Sequence, residues 1–216
     1  MRTRDAHTPT PPPTAQGILD QILQNQISVR VLRYLARAGG DHTGRALAKV
    51  ANASPSATLR ALRDLVQLEV VERRTAGRAM LYKLNADHWL VDTGLGLLFE
   101  AEGAYFREIG RAIRAWVRTP LKAAIVYGSL ARGTADPNSD VDLLCVTASD
   151  DTRDHAEHEL DAMATKFRRR FARPVSYFVW SQQTLRKRYD AHDPLARDMV
   201  NTGHIVLGER MVELLR

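Results

Sequence analysis

Gly128-Ser129 ends a short apolar run, Ala123 to Val126, that closes on Tyr127. After ten intervening residues, Asp140 and Asp142 flank Val141 at the head of a second apolar run that reaches Val146. Short apolar runs bounded by turn residues predict buried strands. Acids at i and i+2 of a strand share one face, about 6–7 Å apart along the chain. Two carboxylates so placed can hold a hard cation, Mg²⁺ or Mn²⁺. A Gly-Ser turn facing them offers backbone N–H groups and a hydroxyl to phosphates. The first expectation is therefore sugar-phosphate chemistry on a metal-bound nucleotide. Taken alone, an Asp-x-Asp at a strand start fits turn capping equally well. The Gly-Ser pair at this spacing tips the reading toward the metal. Cys145 lies inside the second run and reads as a small buried hydrophobe. As the single cysteine, it excludes an internal disulfide and a multi-cysteine metal site.

The elements that must position these residues follow in order. A helix is expected over 150–171, with Leu160, Met163, Phe167 and Phe171 inward. A third strand is expected over 174–180, a helix capped by Ser181, a helix opened by Pro194, and a small strand over 204–207. The letters Tyr127-Gly-Ser-Leu-Ala-Arg-Gly133 and Ser139-Asp-Val-Asp-Leu-Leu144, in this strand–loop–strand setting, resemble the minimal nucleotidyltransferases of the DNA polymerase beta superfamily. The resemblance covers about residues 100–190. It implies that Asp140 and Asp142 hold the metal and are the catalytic acids. Gly128 and Ser129 would bind the β- and γ-phosphates, Arg132 would assist, and Ser139 would order the loop. Pyrophosphate would leave as a nucleophile attacks the α-phosphorus. Active members commonly carry a third carboxylate on the third strand. Here Ser176 stands where that acid is expected, and no Asp or Glu lies between Asp161 and Asp190. A serine supplies neither a full negative charge nor an effective general base. Glu100, Glu102, Asp190 and Asp193 are the candidates to substitute, by proximity in sequence only.

The N-terminal half carries a different chemistry. The net charge is +6, and residues 1–92 hold 13 Lys and Arg against 8 Asp and Glu, leaving nearly all of the basic excess there. An anionic partner is expected for that half, nucleic acid first. A helix over 18–38 stops at Gly39-Gly40, and Thr43 caps a second over 44–50 with Leu47 and Val50 inward. Ser54-Pro55 starts a third that runs to about Leu68. Its apolar face is expected to be Leu59, Leu62, Leu65 and Val66, and its polar face Ser56, Thr58, Arg60 and Arg63. Two strands, 70–73 and 79–84, enclose a basic hairpin tip, Arg74 to Arg78. Two short helices around a tight turn make a helix-turn-helix pattern, and the hairpin adds a wing. Residues 27–88 resemble the winged helix-turn-helix domains of ArsR- and MarR-like transcription regulators. The resemblance implies a third helix in the major groove of double-stranded DNA. Ser54, Ser56, Thr58, Arg60 and Arg63 would then approach the bases, and Arg73, Arg74 and Arg78 the phosphates. A solvated charged face is the bland reading of these arginines, and a protein–protein module is that of the domain.

A long helix is expected over 93–117. It would join two subunits, pack onto the second domain, or both, with Gly94, Gly96, Gly103 and Gly110 weakening it or admitting close helix–helix approach. The expected organisation is α+β. A polar, Pro-rich disordered arm covers 1–16, a winged helix-turn-helix domain 17–92 and a linking or dimerisation helix 93–118. A nucleotidyltransferase-like α/β domain with a small mixed sheet covers 119–216. No apolar run approaches a membrane span, and a soluble cytoplasmic homodimer is expected. Two functions follow from this organisation. The first is a DNA-binding transcription regulator whose second domain binds Mg²⁺–nucleotide as a sensor or vestigial enzyme. The second is an active nucleotidyltransferase that transfers NMP to a protein, RNA or small molecule, as antitoxin-like members do.

Overall fold

The computed structural model describes residues 17–136 and 138–216, so the arm expected over 1–16 lies outside the described residues. The chain divides into two compact units between Glu102 and Gly103. Among the described residues no helix is long and apolar enough to cross a membrane.

The N-terminal unit begins with two helices, α1 (Ile18–Ile22) and α2 (Gln26–Ala38), where one was expected. Asn25 separates them. Its backbone is extended, and its side chain accepts the N–H of Ser28 at 2.9 Å, which starts a new helix at an asparagine cap. A short strand, β1 (His42–Thr43), leads into α3 (Gly44–Ala51), capped by Thr43. Helix α4 (Pro55–Gln67) has Ser54 as its cap, accepting from the Ala57 N–H, with proline at the first position. Strands β2 (Val71–Ala76) and β3 (Ala79–Leu84) form the expected hairpin, and β1 joins its far side to give the order β1-β3-β2. The strands run further than expected and leave only Gly77-Arg78 as the turn, with Gly77 at positive φ.

Val31, Leu32, Leu35, Leu47, Leu62 and Leu65 fill the core of this unit. Two inward assignments fail. Val50 and Leu59 are each about two-fifths exposed, at 41% and 42%, while Thr58 is fully buried. The Thr58 hydroxyl reaches back to the Ser54 carbonyl at 3.0 Å, so it turns inward without an unpaired polar atom.

The single long helix expected over 93–117 is broken. Val91–Leu95 form a π-helical turn, α5 spans Gly96–Gly103, Ala104 interrupts, and α6 spans Tyr105–Trp116. Four glycines weaken the helical ladder here, and tertiary packing decides each piece. Leu90, Val91, Leu95 and Phe99 join the N-terminal core. Gly110 admits a strand, not a helix: a Cβ there would strike the Val206 carbonyl.

In the C-terminal unit the chain continues through β4 (Leu121–Tyr127), α7 (Gly128–Ala131), β5 (Val141–Thr147), α8 (Arg153–Phe171) and β6 (Val175–Ser181). Helices α9 (Gln182–Asp190) and α10 (Pro194–Thr202), strand β7 (His204–Gly208) and α11 (Met211–Leu214) complete it. The sheet order is β6-β5-β4-β7, with β5 and β6 parallel and the other pairs antiparallel. The parallel pair needs a crossover, and α8 supplies it. Each sheet face has its own apolar layer. Ile109, Ile113, Val126, Leu143, Leu160 and Phe167 fill one; Ile125, Leu144, Val146, Trp180, Leu185 and Met199 fill the other. Cys145 is buried within the first layer, and burial pushes its thiol up to about 12. Glu159 of α8 ties down the turn before β4 by accepting the N–H groups of Arg118 and Thr119 at 2.9 and 2.8 Å. Those bonds hold its carboxyl below the usual range.

Candidate functional site

The acidic cradle sits at the end of the sheet where β4 stops and β5 starts. Tyr127 pairs with Asp142 across β4 and β5, and Asp142 pairs with Ser176 across β5 and β6. Gly128-Ser129, expected as a turn ahead of a loop, open the short helix α7. Gly128 is buried at φ +72, and a Cβ there would be driven into Asp142 Oδ2. Glycine is therefore required twice, by its backbone angle and by the carboxylate against it.

Asp140 stands just ahead of β5, and Asp142 is its second residue. Both are half-buried. The Asp142 carboxyl is raised above its ordinary value, first by burial, then by the Asp140 charge, and further by Asp198; Arg132 opposes the shift. Burial and the Asp142 and Asp198 charges also push the Tyr127 phenol up to about 12, so it stays neutral. A carboxylate raised by its neighbour's charge belongs to a donor set that a cation relieves. Among the described residues no group of three or more His, Cys, Asp and Glu is placed to hold a metal. Magnesium needs fewer protein ligands than that, because one or two carboxylates with substrate phosphates and water complete its shell. Asp140 and Asp142 therefore fit the ion as partners of a bound nucleotide.

The other expected site residues fall around this pair in different ways. Ser176 Oγ donates to Asp140 Oδ2 at 2.9 Å, so the serine stands beside the acids where a third carboxylate was sought. Ser129 is half-buried, and its carbonyl accepts the Thr134 N–H. The Ser139 hydroxyl accepts the Asp136 N–H at 2.9 Å, and Arg173 Nη1 donates to the carbonyls of Asp136 and Ser139 at 2.7 and 2.6 Å. Arg132 is held by Asp198, with Nη1 at 3.1 and 2.9 Å from the two oxygens. Asp198 on α10 and Arg173 before β6 were missed, because neither adjoins the motif in sequence.

Two of the acids considered as substitutes are committed elsewhere. Glu102 accepts from Arg33 and Arg37 in the N-terminal unit. Asp193 caps α10 through the N–H groups of Leu195 and Ala196. Glu100 lies on α5, also in the N-terminal unit, and Asp190 ends α9.

The second candidate surface lies on the N-terminal unit. Ser54, Ser56, Arg60 and Arg63 of α4 and Arg73 and Arg78 of the hairpin are exposed. Two residues leave the expected set. Thr58 is buried and cannot meet a base edge. Arg74 is engaged by Asp41, with Nε and Nη2 at 3.0 and 2.6 Å from its oxygens, so its charge is already matched. Arg45, Leu59 and Met80 are gained. With Pro55, Arg78 and Tyr82 they line an open cleft of about 590 Å³ between α3, α4 and β3. The exposure of Leu59 and the opening of Arg45 onto this cleft carry no sequence signal, since both follow from how α3 and α4 cross.

Comparison with known proteins now bears on both units. Residues 111–196 match the model of the nucleotidyltransferase domain, and residues 26–75 match that of the IclR helix-turn-helix domain. The chain joins an N-terminal helix-turn-helix region to a C-terminal nucleotidyltransferase domain. Among solved structures, the AntR antimony-specific transcriptional repressor is 22% identical, with 44% of this chain and 99% of that one covered and a TM-score of 0.32. ZitR of Lactococcus lactis in apo form is 24% identical, covering 44% and 74%, with a TM-score of 0.33. A toxin–antitoxin structure with AMP-PNP is 17% identical, covering 51% and 80%, with a TM-score of 0.35. No match arises among curated proteins.

Proposed function

We propose that this chain is a DNA-binding transcription regulator whose nucleotidyltransferase domain binds a Mg²⁺–nucleotide without fast transfer. Residues 17–92 would carry the DNA and residues 119–216 the nucleotide. The observation that carries this reading is Ser176 Oγ on Asp140 Oδ2, a neutral hydroxyl where transfer chemistry needs a third negative charge.

Asp140 and Asp142 would hold the ion, which neutralises phosphate charge when bound. Ser129 and the backbone around Gly128 would receive the β- and γ-phosphates. Arg132 is close enough to the acids to exchange Asp198 for a phosphate oxygen. Ser176 positions Asp140 but accepts no proton from a nucleophile at neutral pH. On the DNA side, Arg60 and Arg63 would reach base edges while Arg73 and Arg78 neutralise phosphates. A second copy of the chain is part of the proposal, in keeping with two-fold DNA sites. Trp89, Leu97 and Leu98, each more than half exposed, support it. The absence of an apolar membrane-length helix among the described residues is consistent with a cytoplasmic protein.

Calorimetry with Mg²⁺–ATP tests the cradle. Wild type should bind only with the divalent ion, and Asp140→Ala/Asp142→Ala should give no heat; equal heats would end this reading. Labelled NTP should show little transfer by wild type and more by Ser176→Asp. Robust wild-type transfer lost in Asp142→Ala would instead establish an active transferase acting on a protein, RNA or small molecule. Asp198, within electrostatic reach of Asp142, is the acid that favours that second reading.

A further inference from the structure

Strand β6 continues the cradle along the free edge of the sheet. Side chains two apart on a strand share a face, and paired residues of neighbouring parallel strands share it too. Asp142 pairs with Ser176, Leu144 with Phe178 and Val146 with Trp180. Phe178 therefore stands one pleat beyond Ser176 on the cradle's own face, on a strand with no outer neighbour among the described strands. Leu144 is fully buried under α9 and α10, yet Phe178 beside it is 44% exposed. Its ring lies 5.9 Å from Trp180, and the Arg188 guanidinium of α9 sits 4.7 Å over the Trp180 ring. A cavity of about 250 Å³ opens against this group, lined by Phe178, Trp180, Thr184 and Arg188, and Asp150, Arg153 and Glu157 also line it.

The order across the sheet says on which side of the cradle this edge lies. Gly128 and Ser129 follow β4, the acidic pair opens β5, and Ser176 lies on β6. With triphosphate oxygens at the β4 end and the α-phosphate over Asp140 and Asp142, the β6 side is left for whatever approaches the α-phosphorus. We propose that Phe178, backed by the Trp180–Arg188 stack, is a nucleobase-stacking subsite for a single-stranded nucleic-acid end lying across the approach side of the cradle. The placement on the approach side rests on the metal–nucleotide reading above.

The chemistry favours a base over a peptide side chain. An exposed ring next to a guanidinium stacked on a second ring is the makeup of single-strand platforms, where faces stack on bases and cations follow the phosphates. Lys187, exposed on the adjoining turn of α9, provides such a cation, while Arg188 is the stacked guanidinium. Asp193 holds Arg188 at 3.0 Å and so fixes its guanidinium over the ring.

The test uses the full chain with Arg60→Ala/Arg63→Ala in every sample, which suppresses capture by the N-terminal unit. Fluorescent oligothymidylate and oligoadenylate of about ten nucleotides are titrated by anisotropy. Loss of one stacking partner should weaken binding by about 10-fold in Phe178→Ala, while Phe178→Tyr stays within about 2-fold of the parent. Mg²⁺–ATP calorimetry should be unchanged in both. Oligonucleotides carrying 5-iodouracil should cross-link within residues 175–181. Equal oligonucleotide affinity in Phe178→Ala, or cross-links confined to the N-terminal unit, would overturn the subsite. A fall in Mg²⁺–ATP affinity in Phe178→Ala would mean that the ring holds the nucleotide's own base. A Tyr- or Trp-containing peptide that binds where the oligonucleotides do not would make the ligand a protein. If the parent binds oligonucleotide through Phe178 but takes no Mg²⁺–ATP, the cradle reading fails and the stacking site stands.

Discussion

The two candidate sites handle charge in opposite ways. On the N-terminal unit, Arg60, Arg63, Arg73 and Arg78 are exposed and make no ion pair among the described residues. In the cradle nearly every charge has a neighbour: Arg132 is on Asp198, Ser176 is on Asp140, and Asp140 presses on Asp142. The first surface acts as a sum of cations. Removing one leaves the rest in place, and salt weakens all of them together. The second acts as an arrangement, in which one displaced atom disturbs three groups.

The largest effect should therefore come from the smallest substitution. Gly128→Ala forces a Cβ into Asp142 at a positive φ. It should abolish Mg²⁺–nucleotide binding by calorimetry and cost about 2 kcal/mol of stability or more in a denaturant melt. A tolerated alanine would mean that the cradle is looser than the arrangement described.

Single-arginine changes should be milder and should separate by role. Arg60→Ala should cost about 1–3 kcal/mol on the preferred duplex and flatten the preference among duplexes. Arg73→Ala should weaken all duplexes alike and lower the salt slope by about 1. Arg74→Ala should do less than Arg73→Ala, because Asp41 already occupies Arg74. Anisotropy against salt on the three variants measures this ranking.

Glu159→Gln weakens two backbone anchors, and about 1 kcal/mol of stability should go with them. Its carboxyl is depressed in the folded chain from an ordinary value of 4.5. The stabilisation is therefore present above that value and lost as pH falls through the folded pKa. Wild type and variant should converge in acid melts.

The smallest effect, of opposite sign, belongs to Asp142→Asn. A raised carboxyl disfavours ionisation in the folded state, so the penalty operates above the folded pKa and fades as pH falls toward 3.8. Without nucleotide the variant should melt higher at pH 7, by on the order of 1 °C after solvent screening. It should also lose Mg²⁺–nucleotide binding, which separates a functional carboxylate from a structural one.

The spacing of Gly128-Ser129 and Asp140-Val141-Asp142 was enough to place a cradle, because strand alternation and a glycine-only turn are local rules. The caps Thr43, Ser54 and Ser181 and the stop at Gly39 were readable for the same reason: each acts within about four residues of itself. The break inside 93–117 was not readable. Leu95 and Phe99 pack into one unit, and Ile109 and Ile113 into the other, so the periodicity belongs to two cores. Thr58 and Leu59 exchanged their expected places because helical phase alone does not say which stripe a neighbouring helix covers.

By itself the sequence determined the two domains, the Gly-Ser and Asp-x-Asp pairs, and the gap in negative charge at Ser176. Those features are written in residue type and short spacing. Only the tertiary structure decided that Ser176 touches Asp140, that Asp198 and Arg173 reach the site, and that Asp41 holds Arg74. It also decided that Phe178 stays open beside a buried Leu144. Each of these joins residues 33 or more positions apart or depends on which edge of the sheet is left bare, and no local rule carries that information.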